Sequence, residues 1–225
     1  MNETARTVRK FVFDSFLERT YAPAAEEIAN ELRLSLGETK AALAELDEGH
    51  HLKLLEGTSR ILMAFPFSAI STPFRVTRSN GKRYFANCAW DSIAFLPMLE
   101  ESVRIDSFCE RCGKPVGFQL EKGLGNRAME GLPLVHLALP ASAWWQDITR
   151  TCSNTMTFVG PEELEEGTAG TGQGADAGFL TVPQVVEMSV PIYSGKLKLE
   201  YERPPAAILR STFERLGLAG PYWKI

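Results

Sequence analysis

Residues 74–99 read FRVTRSNGKRYFANCAWDSIAFLPML. Two short runs rich in apolar, aromatic and arginine residues flank the segment Ser79–Lys82, and an Asn-Gly pair between such runs is typical of a β-hairpin turn. The apolar segment Ala89–Leu99 follows at once and predicts a short buried helix that closes near Pro97. Because helix and strand alternate here without a regular βαβ repeat, the pattern favours the α+β class.

Further elements are predicted on the C-terminal side of this stretch. They are strands at Ser102–Ser107, Pro115–Glu121, Leu134–Leu139 and Thr155–Val159, and a helix at Ala141–Thr149. Residues 161–178 contain five glycines and five acidic residues without Lys or Arg, which predicts a surface loop. Beyond it, Val182–Glu187 and Lys196–Tyr201 are strand-like or mixed, and Ala206–Leu216 is predicted to be a closing helix.

The N-terminal part has the pattern of a winged helix-turn-helix. Amphipathic helices are predicted around Val8–Leu17, at Ala24–Leu32 and at Leu36–Leu46, and Ile61–Met63 is a predicted strand. Residues 1–60 contain eight Lys or Arg and eleven Asp or Glu. An acidic third helix would repel phosphates, so no nucleic acid is expected as a partner and a packing role is favoured.

These patterns divide the chain into a winged-helix-like module at 1–63, a mixed α+β core at 64–160, and a C-terminal segment with a Gly-rich loop at 161–225. The whole chain has 225 residues and a net charge of −4. No apolar run is long enough for a membrane helix, and the N-terminus lacks the apolar core of a secretory signal, which predicts a cytoplasmic protein without a membrane partner. Four cysteines in such a protein indicate metal binding or thiol chemistry more than a disulfide framework.

Cys88 and Asp91 lie three residues apart at the predicted start of a helix, so their side chains can face a common space. A thiol at a helix N-terminus gains thiolate character, and a carboxyl group among apolar neighbours has a raised pKa. The spacing is equally that of a buried structural cysteine followed by a first-turn acid. From spacing alone, this structural interpretation is favoured.

Cys109 and Cys112 form a CxxC pair followed by a glycine, as in a zinc knuckle. Cys88 and Cys152 could complete a four-cysteine zinc site, or the pair could be thiols without metal. The three histidines carry weaker signals. His50 and His51 are interpreted as residues at a helix C-terminus, favoured there by the dipole, and His136 as a core histidine.

Residues 83–95, RYFANCAWDSIAF, resemble the first active-site segment of the alkylmercury (organomercurial) lyases. In that family a tyrosine-bearing strand leads to C-A-x-D at the start of a helix. The resemblance continues through Val103–Cys109, Pro115-Val116 and Val135–Pro140 to Cys152, and covers about residues 5–160. Ser153 stands where some members have another cysteine, and Cys112 and the C-terminal segment have no counterpart.

The resemblance implies an organomercurial substrate whose carbon–mercury bond is cleaved by protonolysis. It assigns Cys88 and Cys152 as the mercury-binding thiols and Asp91 as the proton donor, which also contacts the Hg(II) product. It implies no required cofactor and release of Hg(II) to excess small thiols or a mercuric reductase. The lyase chemistry does not need Cys109 and Cys112, which leaves this pair an accessory role, with zinc as the metal that its CxxC pattern suggests.

Two other classes of protein use similar residues. A non-enzymatic, thiol-based metal-binding protein needs only the cysteines, and a winged-helix metal-responsive regulator needs a DNA-binding N-terminal part. The C-A-x-D segment together with a distant cysteine favours the enzyme.

Overall fold

The computed structural model describes residues 1–109, 111–123, 133–159 and 178–225. Its α-helices are α1 (Glu3–Arg19), α2 (Ala25–Leu32), α3 (Leu36–Glu48), α4 (Ala89–Leu99), α5 (Ile148–Thr155), α6 (Val182–Tyr193) and α7 (Ala206–Arg215). Its strands are β1 (Lys53–Leu54), β2 (Ile61–Ala64), β3 (Phe67–Ser68), β4 (Phe74–Arg78), β5 (Arg83–Ala86), β6 (Val103–Phe108), β7 (Pro115–Leu120), β8 (Leu134–Leu137), β9 (Met156–Val159) and β10 (Phe179–Thr181). Helices and antiparallel strands together confirm the α+β class.

Two antiparallel sheets are formed within the described residues. The larger has the strand order β1-β2-β3-β5-β4-β6-β7, and the smaller has the order β10-β8-β9. The predicted hairpin is present as β4 and β5, with Val76 opposite Tyr84. Strand β2 pairs directly with β3, so the sheet runs without interruption from the N-terminal hairpin into the central part of the chain.

An aromatic cluster joins α1 to this sheet and to α4. The ring of Phe67 stacks on Phe16 at a centroid distance of 5.0 Å and meets Phe95 and Tyr84 edge-on at 4.9 and 5.3 Å. The hydroxyl of Tyr84 donates a hydrogen bond to the Leu17 carbonyl at 2.9 Å. Helices α1, α2 and α3 and the strand predicted at Ile61–Met63 are present, and these contacts pack α1 on the main sheet.

Helix α4 is the centre of the molecule and packs against α6. Ten consecutive residues of α4, Ala89–Met98, are buried, because the helix is covered on all sides. The indole Nε1 of Trp90 donates to the Ser189 hydroxyl of α6 at 2.8 Å, inside this contact. The contact brings the C-terminal end of α6 next to the N-terminal end of α4.

Several boundaries differ from those predicted. Val182–Glu187 is helical, not a strand, because Thr181 and Gln184 form a capping box that begins a helix in spite of the valines. Lys196–Tyr201 consists of turns and not a strand, and residues 141–149 hold a short 3-10 helix and the start of α5. The loop predicted at 161–178 lies, except for Gly178, outside the described residues.

The closing helix is confirmed as α7, which ends one residue earlier than predicted. In the described part of the chain, no helix combines the length and apolar character that crossing a bilayer requires.

Candidate active site

Cys88 is the N-cap residue of α4 and directly precedes its first residue, Ala89. Its backbone is extended, and its Sγ accepts a hydrogen bond from the backbone N–H of Asp91 at 3.4 Å, as an N-cap side chain does. The turn between them places the Asp91 carboxyl group next to the thiol, with Cys88 Sγ 3.6 Å from Asp91 Oδ2. The proximity predicted from their spacing is confirmed.

Cys152 reaches the same place from the other side. It lies on α5, shortly before strand β9 as predicted, and its Sγ is 3.9 Å from Asp91 Oδ2. The ligand atoms of Cys88, Asp91 and Cys152 all lie within 4.8 Å of one another. The three side chains are buried, with exposed fractions of 1%, 3% and 4%.

Two further donors hold the Asp91 carboxyl group. The amide Nδ2 of Asn87 donates to Oδ2 at 3.0 Å and to the Pro66 carbonyl at 3.2 Å. The hydroxyl of Tyr193, the last residue of α6, donates to Oδ1 at 2.6 Å. Both carboxyl oxygens therefore have fixed positions relative to the thiols.

Burial raises the pKa of Asp91 above its ordinary value, against the opposing effect of the hydrogen bonds from Tyr193 and Asn87. The carboxyl group can therefore hold a proton at a higher pH than an exposed aspartate, as the sequence predicts. A buried cation, Lys196, favours the charged form of Asp91. Burial in turn lowers the pKa of Lys196 to about 7.

The thiolate character predicted for Cys88 is wrong for the protein without substrate. Burial, the hydrogen bond with Cys152 and the charge of Asp91 raise the pKa of Cys88 well above its ordinary value, and outweigh the backbone N–H of Asp91. A hydrogen bond from Cys88 lowers the pKa of Cys152, but burial and Asp91 together raise it more. Without substrate, both cysteines are therefore protonated thiols.

The three side chains of the cluster line a pocket that is open at one side. Its walls are mostly aromatic and aliphatic, with two cations, and include Phe65, Trp90, Trp144, Trp145, Ile148, Ile192, Lys196, Arg203 and Leu209. A small organic group bound beside the thiols would therefore lie against apolar walls, away from bulk water.

At the mouth, His50 and Arg203 lie against Trp145. The His50 and Trp145 rings stack with centroids 4.0 Å apart, and the Arg203 guanidinium lies 4.2 Å from the Trp145 ring centroid. Arg203 donates to Nδ1 of His50 at 2.7 Å, so this nitrogen carries no proton. Burial and the charge of Arg203 lower the pKa of His50.

The dipole interpretation of the two adjacent histidines is therefore wrong. Helix α3 ends at Glu48, and His50 and His51 follow it as neutral rings. Burial, with Lys196, Arg9 and Arg203 nearby, lowers the pKa of His51 to about 3. The core interpretation of His136 is wrong as well, because its side chain is only half-buried and stacks on Phe179 with centroids 4.3 Å apart.

Cys109 and Cys112 do not join the cluster. Cys109 is buried and Cys112 exposed at the turn between β6 and β7. In the described part of the chain, Cys88, Asp91 and Cys152 form the cluster of metal-ligating side chains, and Cys109 and Cys112 are not part of it. The four-cysteine zinc site is therefore not formed. All four cysteines are described, and none forms a disulfide.

Sequence reasoning missed three residues around Asp91. Asn87 directly precedes Cys88, so its position was a usable signal. Tyr193 and Lys196 lie 102 and 105 residues beyond Asp91, past residue 160, where the resemblance was predicted to end, and no local pattern marks them.

The comparisons with known proteins agree with this geometry. Residues 67–194, more than half of the chain, match the family model described as alkylmercury lyase. The fold is similar to that in the crystal structure of the mercury-bound form of MerB2, with a TM-score of 0.62 and 19% sequence identity over 88% of this chain and 91% of that chain. No curated protein matches the chain by sequence. With its family match spanning the hairpin, α4, Cys152 and Tyr193, the chain belongs to the alkylmercury lyase family.

Proposed function

We propose that this alkylmercury lyase binds the mercury of an organomercurial through Cys88 and Cys152 and cleaves the carbon–mercury bond with a proton from Asp91. The observation that carries the proposal is the convergence of these three buried side chains within 4.8 Å. Asp91 would also contact the Hg(II) that remains.

The two thiols supply the affinity for mercury. Mercury(II) is a soft ion, and soft thiolate ligands suit it better than oxygen or nitrogen. Binding releases the thiol protons, since a metal-bound thiol is deprotonated. Two thiolates donate electron density to mercury and make the bound carbon basic enough to accept a proton.

Asp91 supplies the acid. Burial raises its pKa and so favours the protonated carboxyl group, and its Oδ2 lies beside both sulfur atoms. A general acid must lie within hydrogen-bond reach of the atom it protonates. A carbon attached to mercury between the two thiols satisfies that condition.

The product Hg(II) would leave to excess small thiols or to a mercuric reductase in the cytoplasm. Neither step needs a resident cofactor. Cys109 and Cys112 are proposed to be dispensable for cleavage, and zinc at this pair stays a prediction.

The N-terminal residues 1–63 are proposed to act as a packing module. Helix α3 carries Glu38, Glu45, Asp47 and Glu48 against Lys40, so it would repel a nucleic acid backbone. Packing of α1 on the main sheet gives the module a structural role.

Asp91→Asn separates this enzyme from a protein that only traps mercury. Binding needs the thiols alone, so the variant should bind phenylmercury but release benzene about 10²–10⁴-fold more slowly. Headspace analysis measures the benzene, and mass spectrometry should show the phenylmercury adduct persisting on the variant while the wild type carries bare mercury. Wild-type protein that accumulated only the adduct would establish the non-enzymatic alternative. Undiminished release by Asp91→Asn would assign the proton to another group.

A further inference from the structure

Tyr193 is the feature that the proposed chemistry leaves without a role. It is the last residue of α6 and is 6% exposed, and its hydroxyl lies 2.6 Å from Oδ1 of Asp91. Tyr193 itself lines the pocket beside both cysteines. Its hydroxyl thus touches the acid at the base of the pocket.

The two oxygens of Asp91 have different surroundings. Oδ1 accepts the hydroxyl of Tyr193 at 2.6 Å, whereas Oδ2 accepts the Asn87 amide at the longer distance of 3.0 Å and lies 3.6 Å from Cys88 Sγ and 3.9 Å from Cys152 Sγ. Because Tyr193 binds Oδ1 through the shorter hydrogen bond, and Oδ2 lies beside two sulfur atoms that can accept a proton, the carboxyl proton is assigned to Oδ2. This is the oxygen that faces the mercury-binding thiols.

We propose that Tyr193 is a positioning residue, whose hydrogen bond to Oδ1 keeps the acidic proton of Asp91 on Oδ2, directed at the carbon bound to mercury. The inference rests on the proposed function, because it concerns the same proton transfer. It assigns a role to α6, a helix that follows both cysteines in the chain.

The surroundings hold the phenol ring in place. The ammonium group of Lys196 lies 4.7 Å from the Tyr193 ring centroid, and the Lys196 backbone N–H donates to the Tyr193 carbonyl at 3.1 Å. Burial raises the pKa of Tyr193 well above its ordinary value, so the hydroxyl keeps its proton and remains a donor.

The transfer balances without an oxidant or reductant. The O–H bond at Oδ2 breaks, and its proton forms a C–H bond with the electron pair of the breaking C–Hg bond. Mercury(II) stays on the two thiolates, and Asp91 is left as a carboxylate. Tyr193 and Asn87 then donate to its two oxygens, and such hydrogen bonds are stronger to a charged carboxylate than to the neutral acid.

Tyr193→Phe removes the hydroxyl and keeps the ring. With phenylmercury bound beforehand, we expect benzene release in a single turnover to slow about 10- to 100-fold, the range for a hydrogen bond to a charged group. The KM and the stoichiometry of bound phenylmercury should stay at wild-type values. Tyr201→Phe is the matched control, because the equally buried Tyr201 hydroxyl donates at 2.6 Å to the Ile192 carbonyl and not to Asp91.

The outcomes separate the inference from the proposed function. Wild-type release by Tyr193→Phe, with Asp91→Asn inactive, would overturn the inference alone, and so would equal losses in Tyr193→Phe and Tyr201→Phe. Wild-type release by Asp91→Asn would instead overturn the proposed function. If Tyr193→Phe does not fold, 3-fluorotyrosine at position 193 keeps the hydroxyl as a stronger donor and should speed release. An unchanged rate there would also refute the positioning role.

Discussion

Sγ of Cys152 lies 3.9 Å from Oδ2 of Asp91, although 61 residues separate them in the chain. Cys88 Sγ contacts the same oxygen at 3.6 Å. One carboxyl oxygen therefore faces both thiols, so the group proposed to give the proton lies where the two proposed mercury ligands meet. Binding and cleavage can then be separated by mutation.

Cys88→Ser and Cys152→Ser are each expected to abolish cleavage of phenylmercury. A hydroxyl has nearly the shape of a thiol but is a poor ligand for a soft metal. Benzene release with excess small thiol measures the loss. Turnover near the wild-type level in either variant would contradict a mechanism with two thiolates.

The double variant Cys109→Ser/Cys112→Ser serves as the control for these substitutions. These cysteines lie outside the cluster of Cys88, Asp91 and Cys152, so cleavage should stay within about twofold of wild type. Zinc content measured in parallel tests the accessory metal site. Loss of cleavage in a folded double variant would give this pair a role in the chemistry.

The rate of proton transfer should depend on pH in a direction set by Asp91. The acid form is the reactive one, and burial raises the pKa of Asp91 above 3.8. With substrate already bound, the single-turnover rate should be constant at low pH and fall as pH rises through this raised pKa. A rate that rose with pH throughout would show that deprotonation of a thiol limits the step, and not the transfer of the Asp91 proton to carbon.

His51 should make the fold sensitive to acid. Its pKa is about 3 in the folded protein against 6.5 ordinarily, so the unfolded chain binds the proton at higher pH. Stability from a neutral His51 is therefore present above pH 6.5 and lost as pH falls towards 3.

His51→Phe removes this group from the titration. Its urea midpoint should decrease less than that of wild type between pH 7 and pH 4. Equal decreases in the two proteins would show that His51 does not contribute.

The contact between α4 and α6 should depend on Ser189, whose hydroxyl accepts the Trp90 N–H at 2.8 Å. Ser189→Ala leaves this buried donor without its partner and should lower the free energy of unfolding by about 1–3 kcal/mol. Ser211→Ala is the matched control, because its exposed hydroxyl donates to the Ile208 carbonyl in its own helix. Urea denaturation measures both, and the control should change by less than about 0.5 kcal/mol.

Local patterns were sufficient for the elements nearest the site. The Asn-Gly turn predicted β4 and β5, and the predicted limits of α4, Ala89–Leu99, are those observed. Spacing of three residues was enough to bring Cys88 and Asp91 together, because a helix repeats every 3.6 residues. The raised pKa of Asp91 also followed from its apolar neighbours.

Other features of the fold and the site depend on packing between segments that are far apart in the chain. The sequence did not predict the helix Val182–Tyr193, because its valines are equally typical of a strand. The capping box of Thr181 and Gln184 is the local signal for this helix. The protonated state of Cys88 was missed because burial outweighs the helix N-terminus.

The sequence by itself determined the α+β class, the hairpin and α4, and the Cys88–Asp91 pair, since each depends on neighbours a few residues apart. Resemblance to the lyases supplied Cys152. Only the tertiary structure decided that Cys152, Tyr193 and Lys196 meet Asp91 in one buried pocket. The physical reason is that side-chain burial and hydrogen bonds between distant segments depend on how α4, α5 and α6 pack, which no local periodicity encodes.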